Sequence, residues 1–169
     1  WEWNVQTGET VFNERWAQIV GYTLAELAPT TIQTWLGLAH PDDLERSNAA
    51  LQRHFAGETD YYDIQCRMQH KQGHWVWVHD RGRVISWTAS GAPRWMYGTH
   101  ADITEQKQAE LALQRNETLL RGLFELSPVG IALNDFATGD FVEVNAALLA
   151  PTGYSHDEFL ALSYWDVTP

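Results

Sequence analysis

The sequence predicts an α+β chain. A five-stranded antiparallel sheet carries short helices on one face, and a long connector helix and the opening of a second copy of the same domain follow. Three observations lead there. Runs with period-2 alternation flank a block of helical spacing. From Asp102 the composition changes to helix formers. A phrase spelled by Asn13, Gly21, Tyr22 and Glu26 recurs as Asn145, Gly153, Tyr154 and Glu158, 132 positions on. That distance exceeds any solenoid period and marks two copies of a domain. The second copy stops at Pro169, so the chain reads as a piece of a longer protein.

Trp1, Trp3 and Val5 alternate with polar residues, Thr7-Gly8 turns, and Thr10-Val11-Phe12 returns, which makes a hairpin. Asn13 suits the cap of a helix with Trp16 and Val20 on one face and Gly21 at its end. Leu24–Leu27 reads as a helical turn. Pro41 and the pair Asp42-Asp43 suit the first turn of a helix to about Ala56, where proline's missing donor is harmless and carboxylates meet the positive dipole end. Leu44, Leu51 and Phe55 form its apolar stripe.

Three strands come next. Tyr62, Ile64, Cys66 and Met68 face one way along the first. Trp75-Val76-Trp77-Val78 in the second is apolar on both faces and asks for a cover outside, from a helix or a second subunit. Trp95–Ile103 is the third. Asp102-Ile103-Thr104-Glu105 has the form of a capping box. The helix expected to follow, of about 24 residues and about 36 Å, ends at Ser127-Pro128. Ala109, Leu113, Leu120 and Leu123 give it a short seam, with Asn116 inside.

Bulk properties exclude several classes. A net charge of −11 without basic patches argues against a nucleic-acid partner. No apolar run approaches the ~18 residues of a membrane helix, so no membrane contact is expected. Cys66 is alone, which fits a reducing, cytoplasmic location. The nine tryptophans fall mostly in strands and read as core.

The wording of the chain resembles the PAS/PAC sensory-box domains of bacterial signalling proteins. The motifs are His40-Pro41-Asp42-Asp43, Trp77-Val78-His79-Asp80-Arg81-Gly82 and the exit Gly98-Thr99-His100-Ala101-Asp102-Ile103-Thr104-Glu105-Gln106-Lys107. The resemblance covers residues 1–104 as a PAS/PAC domain, leaves 105–126 as a connector, and resumes over 127–169 as the N-terminal part of a second PAS domain. It implies the PAS strand order 2-1-5-4-3. It also implies a sensory module, not an enzyme, that perceives a small ligand, redox state or partner. The relay would pass through Asp102, Ile103 and Thr104 and the helix to an output domain in the same chain. A diguanylate cyclase or phosphodiesterase is the preferred output; the alternatives are the sensor part of a histidine kinase or a structural dimerisation module. A homodimer through the connector helix and sheet face is expected, as is a second copy that leans on the first domain or a neighbouring chain.

Candidate chemistry is sparse. His70, His74 and His79 flank one turn without a thiol or carboxylate at zinc-like spacing, and read as solvated turn residues. His54 lies on the helix that carries the iron ligand in haem-binding PAS proteins, yet it sits beside the apolar stripe and reads as a surface histidine. Cys66 is on a strand, whereas light-sensing flavin PAS domains use a helical cysteine. Asp42 and Asp43 read as helix-start charges rather than an acid/base pair. No nucleophile elbow or Gly-rich phosphate loop supports a hydrolase or redox enzyme. The pocket is expected to be lined by Trp16, Trp35, Phe55 and His54 and largely filled by side chains. No cofactor is expected, haem and flavin being the two considered.

Overall fold

Each strand of the first sheet begins or ends where the sequence places a turn, and the computed structural model, which describes residues 1–168, shows how they assemble. The chain forms two units, Trp1–Gln108 and the residues from Ala109 onward. In the first, β1 (Glu2–Asn4) and β2 (Thr10–Val11) make the hairpin. Then come α1 (Glu14–Ile19), α2 (Leu24–Leu27), α3 (Ile32–Leu38) and α4 (Pro41–Phe55). The long strands β3 (Tyr62–Gln69), β4 (Trp75–Trp87) and β5 (Pro93–Asp102) complete an antiparallel sheet in the order β2-β1-β5-β4-β3, the order expected.

Period 2 decides the faces. Tyr62, Cys66 and Met68 of β3, Val76, Val78 and Val84 of β4 and Met96 of β5 are buried, against Phe12, Trp16, Val20 and Trp35 of the hairpin and helices. The outer face of Trp77 is covered in part by cations of the same unit. Arg67 stands over its ring at 5.7 Å and Lys107 at 5.9 Å, while Trp75 packs on His40 with ring centroids 4.6 Å apart.

The second unit shares α5 (Thr104–Leu126), which crosses from one unit to the other as one continuous helix. It then forms a two-stranded sheet of β6 (Ala132–Asn134) and β7 (Phe141–Val144). The short helices α6 (Ala146–Leu149), α7 (His156–Leu160) and α8 (Tyr164–Val167) follow. Its small core is Phe141, Val144 and Phe159.

The repeated phrase is a set of helix boundary instructions. Asn13 accepts the Trp16 N–H and Asn145 the Leu148 N–H, each starting a helix. Gly21 and Gly153 adopt φ of 79° and 78°, which only glycine takes without strain. At Gly21 a Cβ would also lie 2.3 Å from the His70 ring. Thr23 with Glu26, and Ser155 with Glu158, close capping boxes on the next helix.

Candidate functional site: a cavity between helices and sheet

A cavity of about 270 Å³ lies between α3, α4 and the inner face of the sheet. This corrects the expectation of a filled pocket. Trp1, Trp3, Phe12 and Trp35 give it ring walls, Leu44 and Leu51 an aliphatic one, and Ser47, Tyr62, Asp80 and His100 its polar part.

The polar part is built by strand alternation. Asp80 and His100 stand opposite each other on β4 and β5, both on the inner face. Asp80 accepts the Trp1 indole N–H at 2.8 Å, and its other oxygen lies 3.2 Å from His100 Nε2. That last approach suits a charge contact but not an aligned hydrogen bond, and His100 Nε2 has no hydrogen-bond partner among the described residues. The indole N–H groups of Trp3 and Trp35 are likewise buried without an acceptor. Ser47 and Tyr62 share a buried hydroxyl contact of 2.9 Å, and burial pushes the Tyr62 phenol well above its usual range, so it stays neutral. Gly82 and Gly98 admit the Trp1 ring: a Cβ at either would sit about 2.5 Å from it.

Of the residues expected to line the pocket, Trp35 does. Trp16 packs alongside, stacked on Phe12 at 3.8 Å and 5.7 Å from His100. Phe55 belongs to the adjoining cluster, 6.4 Å from the Trp3 ring. His54 is not a surface residue. Its Nε2 accepts the Val84 N–H at 3.0 Å, so its Nδ1 donates to Thr59 O at 2.9 Å. With both nitrogens bonded, it ties α4 to β4 and does not fit the iron of a haem. Cys66 is buried on β3, and burial pushes its thiol up to about 12, which removes it as a nucleophile. Among the described residues, no three His, Cys, Asp or Glu side chains converge on a metal position. His70, expected as a solvated turn residue, stacks on His74 at 4.3 Å and lies over Gly21. His79 stays on the outer face, bonded to Asp63 at 2.7 Å.

The His-Pro-Asp-Asp motif joins the cavity's helix to the sheet. His40 Nδ1 accepts the Asp42 N–H at the cap of α4, and Pro41 opens its first turn. Asp43 is fully buried and accepts the Arg67 backbone N–H at 2.8 Å, its Nε at 2.9 Å and its Nη2 at 2.9 Å, and Arg46 adds a further bond. Burial opposes the charge, but the bonds from Arg67 and Arg46 outweigh it and hold the carboxyl well below the usual range.

Near the start of β4, opposite Arg67, Trp77 is clasped by the exit to α5. Ile103 N–H donates to Trp77 O at 3.0 Å, and Trp77 N–H donates to Thr104 Oγ at 2.9 Å. Asp102, paired with Val78, accepts the Thr104 N–H at 2.9 Å. The sequence reading missed Asp80, His100, Ser47 and His54 as buried polar groups. The signal for the first two was present: counting by two from Val76 and Val78 puts Asp80 on the inner face, and counting from Met96 does the same for His100.

Comparison with known proteins agrees with this geometry. Residues 9–100, more than half of the chain, match the family described as PAS fold, and residues 118–168 match the one described as PAS domain. The sensor protein FixL of Bradyrhizobium diazoefficiens is 26% identical over 135 residues, 80% of this chain. The chain spans about a quarter of that relative's length, 26%. A sensory box histidine kinase/response regulator from Burkholderia thailandensis superposes with a TM-score of 0.62 at 33% identity, over 72% of this chain and 88% of that one. The N-terminal domain of a diguanylate cyclase with PAS/PAC sensor from Marinobacter aquaeolei shares the fold, with a TM-score of 0.54 at 23% identity, over 63% and 95% of the two chains.

Proposed function

The chain belongs to the PAS family, and from that premise we propose that its first unit perceives a small ligand in the cavity and relays occupancy through β4 and β5 into α5. The observation that carries this is the clasp at Trp77. Asp80 in the cavity wall lies three residues along the same strand from Trp77, which holds Ile103 and Thr104 at the start of the helix. A ligand that shifts β4 against β5 therefore acts on the helix origin through two hydrogen bonds. Only differential binding to two arrangements of the exit would move the equilibrium.

The helix passes the signal to an output domain of the diguanylate cyclase or histidine kinase type, in the cytoplasm. The 33% identical sensory-box neighbour supports the kinase type. Leu113, Leu120 and Leu123 are more than half exposed on α5 and supply a stripe on which a second copy pairs. Among the described residues no helix is long and apolar enough to cross a membrane.

Thr104→Val tests the relay. The variant keeps the shape of the side chain but removes the acceptor for the Trp77 N–H. Ligand binding to the first unit is expected to persist while the output of the full-length protein stops following its stimulus. An output that follows the stimulus as before refutes the relay. Replacing Leu113 and Leu120 by Asp is expected to turn a dimer into a monomer in sedimentation.

A further inference from the structure

The walls of the cavity carry information about what it takes, and this inference rests on the reading of the cavity as a ligand pocket. We propose that its ligand is a small, flat nitrogen heterocycle, neutral or cationic, with an N–H that donates to Asp80. Size sets the first limit. A cavity of about 270 Å³ lies just below the roughly 300–1,000 Å³ of common ligand pockets, which suits a small guest.

Shape follows from the walls. Trp1, Trp3, Phe12 and Trp35 present ring surfaces, and a planar guest gains most from them. Charge follows from what is missing as well as what is there. Titratable groups facing the cavity are Asp80 and His100 from the two central strands and Tyr62 from β3; α3 and α4 contribute only Ser47 and Asn48 as polar side chains. No lysine or arginine lines it, so a carboxylate guest would lose its water beside Asp80 without a fixed positive charge in return. Hydrogen bonding supplies the orientation. Asp80 is 4% exposed, and among the described residues its carboxylate takes only the Trp1 N–H as an aligned bond, leaving lone pairs for a donor on the guest. The Trp3 and Trp35 indole nitrogens lack acceptors among the described residues but have almost no accessible surface, so the free lone pairs of Asp80 are what orient a guest. A flat guest with one ring N–H donor answers that need.

Titration of the 169-residue chain with benzimidazole and with benzoate at pH 7, followed by tryptophan fluorescence, tests the assignment. Benzimidazole is expected to saturate and to bind at least tenfold more tightly than benzoate, a comparison that requires no variant. In Asp80→Asn, whose carbonyl still accepts the Trp1 N–H, the preference should fall to within about twofold. Benzoate binding as tightly as benzimidazole overturns the proposed ligand class and leaves the pocket reading intact. Silence from both rings also overturns the class. Leu51→Phe, which narrows the cavity, then decides the wider reading in the full-length protein. A response that survives removes the cavity from sensing, and a lost response keeps it as the pocket of another ligand.

Discussion

Asn13 and Asn145 start the same kind of helix in the two units, yet Asn13 is exposed and Asn145 has no accessible surface. Asn13 makes one cap bond, to the Trp16 N–H. Asn145 makes that bond to Leu148 and also accepts the Ile131 N–H, while its amide donates to Phe124 O and Val129 O. Phe124 O is one of the last carbonyls of α5, which the helix itself cannot satisfy. In the first unit a five-stranded sheet supplies the core, and the asparagine is left to local work. Where the sheet has two strands, one buried polar side chain gathers three segments. The same residue in the same phrase can therefore be a trim or a keystone, depending on how much sheet stands beside it.

The largest test of that difference is to remove both amides. Asn145→Ala leaves buried donors and acceptors unpaired and should cost the second unit about 3 kcal/mol, whereas Asn13→Ala should cost the first about 1 kcal/mol. Hydrogen exchange resolved by residue reports each unit separately, and equal costs would abolish the contrast. Gly98→Ala, of comparable size, acts on the first unit alone. Its Cβ would meet Arg81 O at 2.3 Å and the Trp1 ring at 2.4 Å, and overpacking of that kind costs about 3 kcal/mol. Denaturant unfolding should place its effect in the first unit and leave exchange in the second unchanged.

Smaller still is the Asp43 anchor. Asp43→Asn should cost about 2 kcal/mol, less than a wholly buried pair because both arginines keep contact with water. Its pH dependence follows from sign. The folded carboxyl titrates below its ordinary value, so the contribution is complete above about pH 4 and fades as pH falls through that value toward the folded one. The stability gap between the unsubstituted chain and the Asp43→Asn variant should therefore narrow in acid; a gap independent of pH would dismiss the anchor.

The smallest contrast is between Glu26 and Glu158. Both close capping boxes, but Lys71 also bonds Glu26 and, with the Thr23 contacts, brings it down to about 2. Glu158 is lowered by its Ser155 contacts alone. Lys71→Met should move the Glu26 titration upward in NMR and leave Glu158 where it was.

Much of this was legible in the chain. Helix starts, turn glycines and strand alternation depend on neighbours within a few residues, so Asn13, Gly21 and the β3 pattern announced their roles directly. Tyr62, Cys66 and Met68 read as sharing one face, and all three are buried. His54 read as exposed because its apolar neighbours define a different stripe. Its burial depends on two partners, Thr59 and Val84, and the second lies 30 positions away on β4. Asp43 read as helix-start charge for a like reason, since Arg67 approaches from β3.

The sequence by itself determined where most helices and strands begin, which residues of β3 share a face, and that the domain recurs. Those properties follow from backbone preferences and a period of two or 3.6 residues, which short windows contain. Tertiary structure decided that the space between helices and sheet stays open, and that Asp80 and His100 stand side by side in its sheet wall. Whether large rings fill a cup or line it depends on their packing angles against distant strands. Trp1 lies against Gly82 and Gly98 and leaves a cavity beside it, and no local rule fixes that placement.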